Sequence, residues 1–145
     1  MVHRLLQRLG FDEPPPLETI RDAASRLLRA AEIDDGGDIA ALIEMSAVTY
    51  SAMCGREDVR EIYTATRKFH EVPFSMTLDG RILRGTVDCL AETSPGHLSV
   101  IEFKTGRPRP EHARQVELYR RAMEHIFPDF SIDARLVYAR RPPGA

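Results

Sequence analysis

The first half of the chain carries apolar residues at the spacing of amphipathic helices. Val2, Leu5 and Leu9 form one such stripe, which ends at Gly10 and the prolines that follow. Asp38 comes after two glycines and is a suitable N-cap for the helix behind it. The predicted helices cover residues 2–9, 17–31, 39–54 and 56–64.

The second half changes to the alternation of β-strands. Apolar residues occupy every second position on both sides of an Asp-Gly pair at 79–80, which is a strong hairpin signal. With this pair as the loop, Phe74 faces Gly85 on an apolar face, whereas Glu71 faces Asp88 on the other, polar face. The hairpin therefore predicts two carboxylates side by side.

A third strand, predicted over 98–105, follows a turn centred on Pro95. This turn sets Asp88 opposite Glu102, and the period of two puts Lys104 on the same polar face as Glu102. The patch would then hold a third carboxylate and an amine.

Pro110 opens a further predicted helix that reaches about residue 127, and a last strand is predicted over 132–139. A helix between two strands of one sheet favours parallel pairing of those strands. The predicted fold is α/β, with a mixed, mostly antiparallel central sheet flanked by helices. Helices are expected on its apolar face and the carboxylate patch on the other.

Length and composition limit the class of protein. A chain of 145 residues with 43% apolar residues and a net charge of −2 fits one domain, predicted over 1–145, with a helical part over 1–65 and a sheet core over 66–145. Two cysteines are too few for a four-thiolate metal site or a disulfide scaffold, which predicts a reducing, cytoplasmic setting. No apolar run reaches the ~20 residues of a membrane span.

The basic residues are 18 arginines and only two lysines. A lysine in so arginine-rich a chain indicates a role that needs a compact, titratable amine, which the guanidinium of arginine cannot provide. Three carboxylates close together raise one another's pKa values unless a cation lies among them, and hard oxygen ligands favour Mg²⁺ or Mn²⁺. The alternative is a solvated sheet face with a salt bridge between Lys104 and Glu102.

These residues resemble the nuclease domain of the RecB and AddA type in the PD-(D/E)XK superfamily. The resemblance extends from His3 to about Ala139, and Val87 replaces the proline that often precedes the aspartate. Its motifs are His70-Glu71-Val72-Pro73-Phe74, Arg84-Gly85-Thr86-Val87-Asp88, Val100-Ile101-Glu102-Phe103-Lys104-Thr105-Gly106 and the pair Gln115 and Tyr119.

The resemblance implies a role for each matching residue. Asp88, Glu102 and the carbonyl of Phe103 would bind the metal, with His3 as a further ligand, and Lys104 would be the catalytic lysine. Glu71 would support the metal or its water. Gln115 and Tyr119 would face the active site and the DNA, and core packing is the alternative for Tyr119. Apart from the resemblance, the basic segment after the third strand predicts that Arg107 and Arg114 neutralise DNA phosphates.

The implied activity is that of a Mg²⁺- or Mn²⁺-dependent deoxyribonuclease, an exonuclease on DNA ends or single strands in recombinational double-strand-break repair. The sequence has no Gly-x-x-x-x-Gly-Lys-Ser/Thr phosphate loop. Expected partners are therefore DNA, the helicase domains of a parent polypeptide and a second helicase–nuclease subunit. The alternative is a DNA-binding or assembly module that keeps the fold but does not cut.

Overall fold

A computed structural model describes residues 1–10, 13–34 and 36–140. The chain divides after Arg60 into an N-terminal helical unit and a C-terminal unit that contains the sheet. The helices are α1 (Val2–Leu9), α2 (Leu17–Arg26), α3 (Ala30–Asp34), α4 (Ile39–Cys54), α5 (Glu57–Tyr63) and α6 (Pro110–Ile126). Within the described residues, none of these helices has the length and apolar character that crossing a membrane requires.

The N-terminal unit follows the predicted helix order with one difference. The single helix expected over 17–31 is two helices, because the chain leaves helical geometry at Leu27. The Leu27 carbonyl accepts a hydrogen bond from the Arg4 guanidinium instead of an amide of a continuing helix. The Asp38 cap is confirmed, since its carboxylate accepts the Ala41 amide at 3.0 Å.

The C-terminal unit is built on a four-stranded sheet in the order β1-β2-β3-β4. Its strands are β1 (Arg67–Leu78), β2 (Arg81–Ser94), β3 (His97–Lys104) and β4 (Ser131–Tyr138). Both neighbouring pairs among β1, β2 and β3 are antiparallel, whereas β3 and β4, joined through α6, are parallel. The predicted mixed, mostly antiparallel sheet is confirmed.

The predicted hairpin register is present, and the predicted β2–β3 register is present from Glu92 to Cys89. The β2–β3 turn itself differs from the prediction, because Ser94 pairs with His97 and an irregularity between Glu92 and Ser94 shifts the register. Phe74 pairs with Gly85 across the hairpin, and Cys89 pairs with Ile101 between β2 and β3. At the hairpin loop Asp79 and Gly80 have φ values of 52° and 76°, the positive angles that a type I′ turn requires. The turn therefore fixes which residues of β1 and β2 face each other.

One face of the sheet packs against α6 in an apolar core. Its buried members come from β2, β3, β4 and the helix: Val87, Leu90, Leu98, Val100, Val116, Ala122, Met123 and Ile132. Gly85 permits the closest approach of the helix at the hairpin. A Cβ at this position would lie 2.8 Å from the Tyr119 hydroxyl and 3.0 Å from the Phe74 ring.

We expect Gly85→Ala to lower the free energy of unfolding by about 1–3 kcal/mol, because the added methyl overpacks this contact. Denaturant unfolding measures the effect. Gly106→Ala is the control, since a Cβ at Gly106 meets no atom within 4 Å among the described residues. Equal stability losses in the two variants would contradict the prediction, and adding Tyr119→Phe to Gly85→Ala should recover part of the loss.

Candidate active site

Two carboxylates meet where the β2–β3 ladder ends. Beyond the pair Cys89 and Ile101, the side chains of Asp88 and Glu102 take over the hydrogen bonds of the two strands. The Asp88 amide donates to Glu102 Oε1 at 3.0 Å, and the Phe103 amide donates to Asp88 Oδ2 at 2.9 Å. Each carboxylate is thus fixed by the backbone of the opposite strand.

Glu71 brings a third carboxylate to this place. It has a φ of 52°, a left-handed conformation that is uncommon for a residue other than glycine and costs free energy within a strand. The β1–β2 pairing is interrupted there, between the pairs His70–Cys89 and Val72–Val87. One carboxylate oxygen of Glu71 lies within 4.8 Å of one of Asp88.

Glu102 is the buried member of the cluster, with 3% of its surface exposed. Burial and the negative charge of Asp88 raise the pKa of its carboxyl to about 7. The ammonium of Lys104 acts in the opposite direction from 3.8 Å, but it does not cancel the first two effects. A carboxylate in this position gains from a further cation.

Helix α6 holds the lysine. Lys104 Nζ donates to Gln115 Oε1 at 2.7 Å, and Gln115 Nε2 donates to the Tyr119 hydroxyl at 3.4 Å. The Tyr119 ring packs edge-on against Phe74, with centroids 5.1 Å apart. Tyr119 therefore belongs to the apolar core through its ring and to the polar site through its hydroxyl.

The expectation that α6 and the site occupy opposite faces of the sheet is wrong. Side chains alternate along β3, so Glu102 and Lys104 lie on the same side as Val100, which packs against α6. The hydrogen bond from Lys104 to Gln115 also joins the site to that helix directly. The site lies on the helix-covered face, beyond the point where its apolar residues end. The sequence pattern marks the two faces of a strand but does not say that one face changes character along its length.

Two of the remaining predicted residues are arginines on the surface of the C-terminal unit. Arg107 is exposed in the loop before α6, and Arg114 is exposed beside Glu111, 3.1 Å away. His3 lies half-buried in α1 of the N-terminal unit. Its role as a ligand stays a prediction, as does that of the Phe103 carbonyl.

One pair beside the site was not singled out from the sequence. His112 Nδ1 and the Tyr138 hydroxyl are 3.0 Å apart. A signal for it was present, because His112 precedes Gln115 by three residues on the same helical face. The position of Tyr138 required the β3–β4 register, which nothing in the sequence specified.

The family model described as the PD-(D/E)XK nuclease superfamily matches residues 1–143. The chain belongs to the PD-(D/E)XK nuclease superfamily. Among solved structures it is similar to protein VC1899 from Vibrio cholerae, at 15% identity and a TM-score of 0.43. The match covers 97% of this chain but only 46% of that one. A comparison with curated proteins found no match.

Nucleases of the PD-(D/E)XK superfamily are generally metal-dependent, and this donor set fits a divalent cation. Carboxylate oxygens are hard ligands suited to such ions. The pKa of Glu102 is raised because its charge lies buried beside that of Asp88, and a cation among the carboxylates would remove that cost. The residues present thus fit the cofactor that the superfamily uses.

We expect Glu102→Gln to stabilise the metal-free protein at pH 8 by roughly 1–3 kcal/mol. Because folding raises the pKa of Glu102, the wild type loses stability as pH rises from about 4.5 to about 7 and does not regain it above. Glutamine keeps the oxygen that accepts the Asp88 amide and carries no charge. Denaturant unfolding in a chelator at pH 8 and pH 4 measures the difference, which should vanish at pH 4.

The exposed Glu111→Gln serves as the control and should change stability by less than about 0.5 kcal/mol at either pH. A Glu102→Gln variant that is less stable than the wild type at pH 8 would contradict the prediction. It would mean that the ion pair with Lys104 stabilises the Glu102 carboxylate by more than its burial and its repulsion by Asp88 destabilise it.

Proposed function

We propose that the chain is a Mg²⁺- or Mn²⁺-dependent deoxyribonuclease, acting as an exonuclease on DNA ends or single strands. The observation that carries the proposal is the pair Asp88 and Glu102, each held by the opposite strand, with Lys104 two residues beyond Glu102. This order of groups places oxygen ligands and a fixed ammonium side by side. Both groups can stabilise the negative charge that develops when a phosphodiester is hydrolysed.

The carboxylates of Asp88 and Glu102 and the carbonyl of Phe103 would hold the cation, with Glu71 and His3 in support. When bound, the cation supplies a Lewis acid and lowers the pKa of a coordinated water. The carboxylates do not need to move to receive it, because backbone amides fix Asp88 and Glu102. Such preorganisation lowers the reorganisation cost of the reaction.

Lys104 provides positive charge where negative charge develops on the phosphorus oxygens. Its hydrogen bond to Gln115 at 2.7 Å fixes the ammonium while leaving it two further hydrogens to donate. The side chain is 21% exposed, so it is open to a substrate from one side. Gln115 is thereby a positioning residue for the lysine.

The motifs resemble those of the RecB and AddA type of nuclease, and this resemblance supports the proposed biological context. That context is recombinational double-strand-break repair in the cytoplasm as part of a helicase–nuclease. The sequence has no phosphate loop of its own, so ATP-driven unwinding would come from helicase domains of a parent polypeptide and from a second subunit. These domains would deliver single strands to the site.

We expect Asp88→Asn and Lys104→Met each to lower the rate of single-strand cleavage by at least ~100-fold, since each removes a charge that acts in the transition state. Both substitutions approximately preserve side-chain volume. Cleavage of a labelled oligonucleotide in Mn²⁺ gives the rate, and thermal unfolding checks that each variant folds.

Asp129→Asn, an exposed position after α6, is the matched control and should cut like the wild type. Full activity in either site variant would refute the assignment. A wild type that binds DNA but cuts it in no divalent cation would favour the alternative, a non-cleaving DNA-binding module.

Metal binding should stabilise the fold, because the ligands are dispersed in the unfolded chain. At 100 times its dissociation constant, Mn²⁺ should add ~2.7 kcal/mol to the free energy of unfolding. A histidine nitrogen favours Mn²⁺ over Mg²⁺. Titration of the protein with each ion should therefore show a smaller difference between the Mn²⁺ and Mg²⁺ affinities in His3→Ala than in the wild type. Unchanged Mn²⁺ and Mg²⁺ affinities in His3→Ala would exclude His3 as a ligand.

Arg107 and Arg114 should contribute to DNA affinity by neutralising phosphates. Replacing an arginine that binds a phosphate with alanine should lower the slope of log affinity against log salt by ~0.7 on a single strand. Arg120 is the control, since two carboxylates, those of Glu117 and Glu124, pair with it. Arg114 pairs with one, that of Glu111. The slopes are measured with Ca²⁺ as the cation, and slopes equal to that of the wild type in both variants would locate the DNA path elsewhere.

A further inference from the structure

A second side-chain bridge joins the sheet to α6 beside the one made by Lys104. Tyr138 is the last residue of β4 and the partner of Lys104 in the parallel β3–β4 register. Its hydroxyl lies 3.0 Å from Nδ1 of His112, one helical turn before Gln115. Neighbouring strands are ~4.8 Å apart and one turn of helix rises ~5.4 Å, so the two bridges run side by side.

This second bridge presents an unused hydrogen-bond donor. When the Tyr138 phenol donates to Nδ1 of His112, the imidazole hydrogen is on Nε2. Nε2 has no hydrogen-bond partner in the described part of the chain, and His112 is half-buried rather than sealed in the core. The ring centroids of the two residues are 5.7 Å apart, which orients the imidazole.

The charge around this bridge suits an anion. Arg107 and Arg109 lie in the loop that leads into α6, both exposed and without a carboxylate partner among the described residues. Arg109 is the N-cap of the helix, and its carbonyl accepts the amide of His112 at 3.1 Å. Glu111, the acidic residue of the first turn, is paired with Arg114.

We propose that His112 and Tyr138 form a subsite for the phosphate next to the one that is cleaved. His112 Nε2–H donates to a non-bridging oxygen of that phosphate, and Tyr138 is a positioning residue that fixes the tautomer and the ring. The ligand class is a phosphodiester of a single nucleic acid strand. Six covalent bonds separate consecutive phosphorus atoms of a strand, so the neighbouring phosphate can reach a group that lies about one helical turn, ~5.4 Å, from the first bridge. The inference rests on the proposed nuclease function, because that function makes Lys104 the neighbour of the cleaved phosphate.

The test uses single-stranded oligonucleotides in which one phosphate is replaced by a neutral methylphosphonate. Cleavage rates are measured at every bond of each strand, so that the position of the neutral linkage relative to the cut is known. In the wild type the bond next to the neutral linkage, on one side of it, should be cut roughly tenfold more slowly than in the unmodified strand. In His112→Ala this selective slowing should disappear, although all bonds are cut more slowly.

His125→Ala is the matched control, because His125 is exposed in the last turn of the same helix. In His125→Ala, cleavage of the bond next to the neutral linkage should be slowed as much as in the wild type. Tyr138→Phe retains the aromatic ring and should reduce the selective slowing while raising KM more than it lowers kcat. It also serves as the second variant if His112→Ala unfolds below the assay temperature.

Affinity for a short unmodified strand, measured with Ca²⁺ in place of Mg²⁺, separates this inference from the nuclease proposal. His112→Ala should bind roughly tenfold more weakly than the wild type and His125→Ala equally well. A wild type that binds but never cuts overturns the nuclease proposal and leaves the subsite to be judged by this affinity. The subsite is overturned by equal affinities of the wild type and His112→Ala, or by the same position dependence of cleavage in both.

Discussion

The burial of the Glu102 carboxyl beside the negative charge of Asp88 is the constraint on which the site depends. Their carboxylates stand opposite each other where β2 and β3 part, and each accepts a backbone amide of the other strand. The fold thus holds two negative charges together, one of them buried, which raises the pKa of Glu102. A divalent cation removes this cost, so the same geometry that strains the metal-free protein favours metal binding.

The rest of the C-terminal unit supports this arrangement from one side. Helix α6 crosses over between β3 and β4 and places Gln115 against Lys104. The helix is itself held by Tyr119, whose ring packs on Phe74 and whose hydroxyl lies where Gly85 has no side chain. The packing of Tyr119 at the hairpin therefore affects the position of the Lys104 ammonium, because Gln115 contacts both Tyr119 and Lys104.

Local signals are sufficient to predict much of the fold and the central pair of the site. The Asp-Gly turn at 79–80 determines the first register. The turn at Pro95 does not determine the second by itself, because it pairs Ser94 with His97, and the predicted register begins only beyond the irregularity between Glu92 and Ser94. Long-range contacts are the part that the sequence does not reveal. The Leu27 carbonyl at the end of α2 accepts a hydrogen bond from Arg4, which is 23 residues away in the chain.

Two features of the C-terminal unit also depend on contacts that the sequence does not reveal. The left-handed backbone of Glu71 has no sequence signal, because glutamate disfavours it and only the surrounding sheet imposes it. Three arginines of α6, Arg114, Arg120 and Arg121, pair with carboxylates, and for Arg121 the partner is Asp79 in the distant hairpin. Charge counted along a chain does not show which charges pair in space.

Proton release on metal binding tests the central claim most directly. Calorimetric titration with Mg²⁺ in two buffers of different ionisation enthalpy gives the number of protons displaced per chain. If the buried carboxyl of Glu102 is a metal ligand with a pKa near 7, about one proton from it should be released at pH 6 and close to none at pH 8.5. Glu102→Gln should therefore release about one proton fewer than the wild type at pH 6 and the same number at pH 8.5. Binding of Mg²⁺ with no proton release at pH 6 would contradict the account.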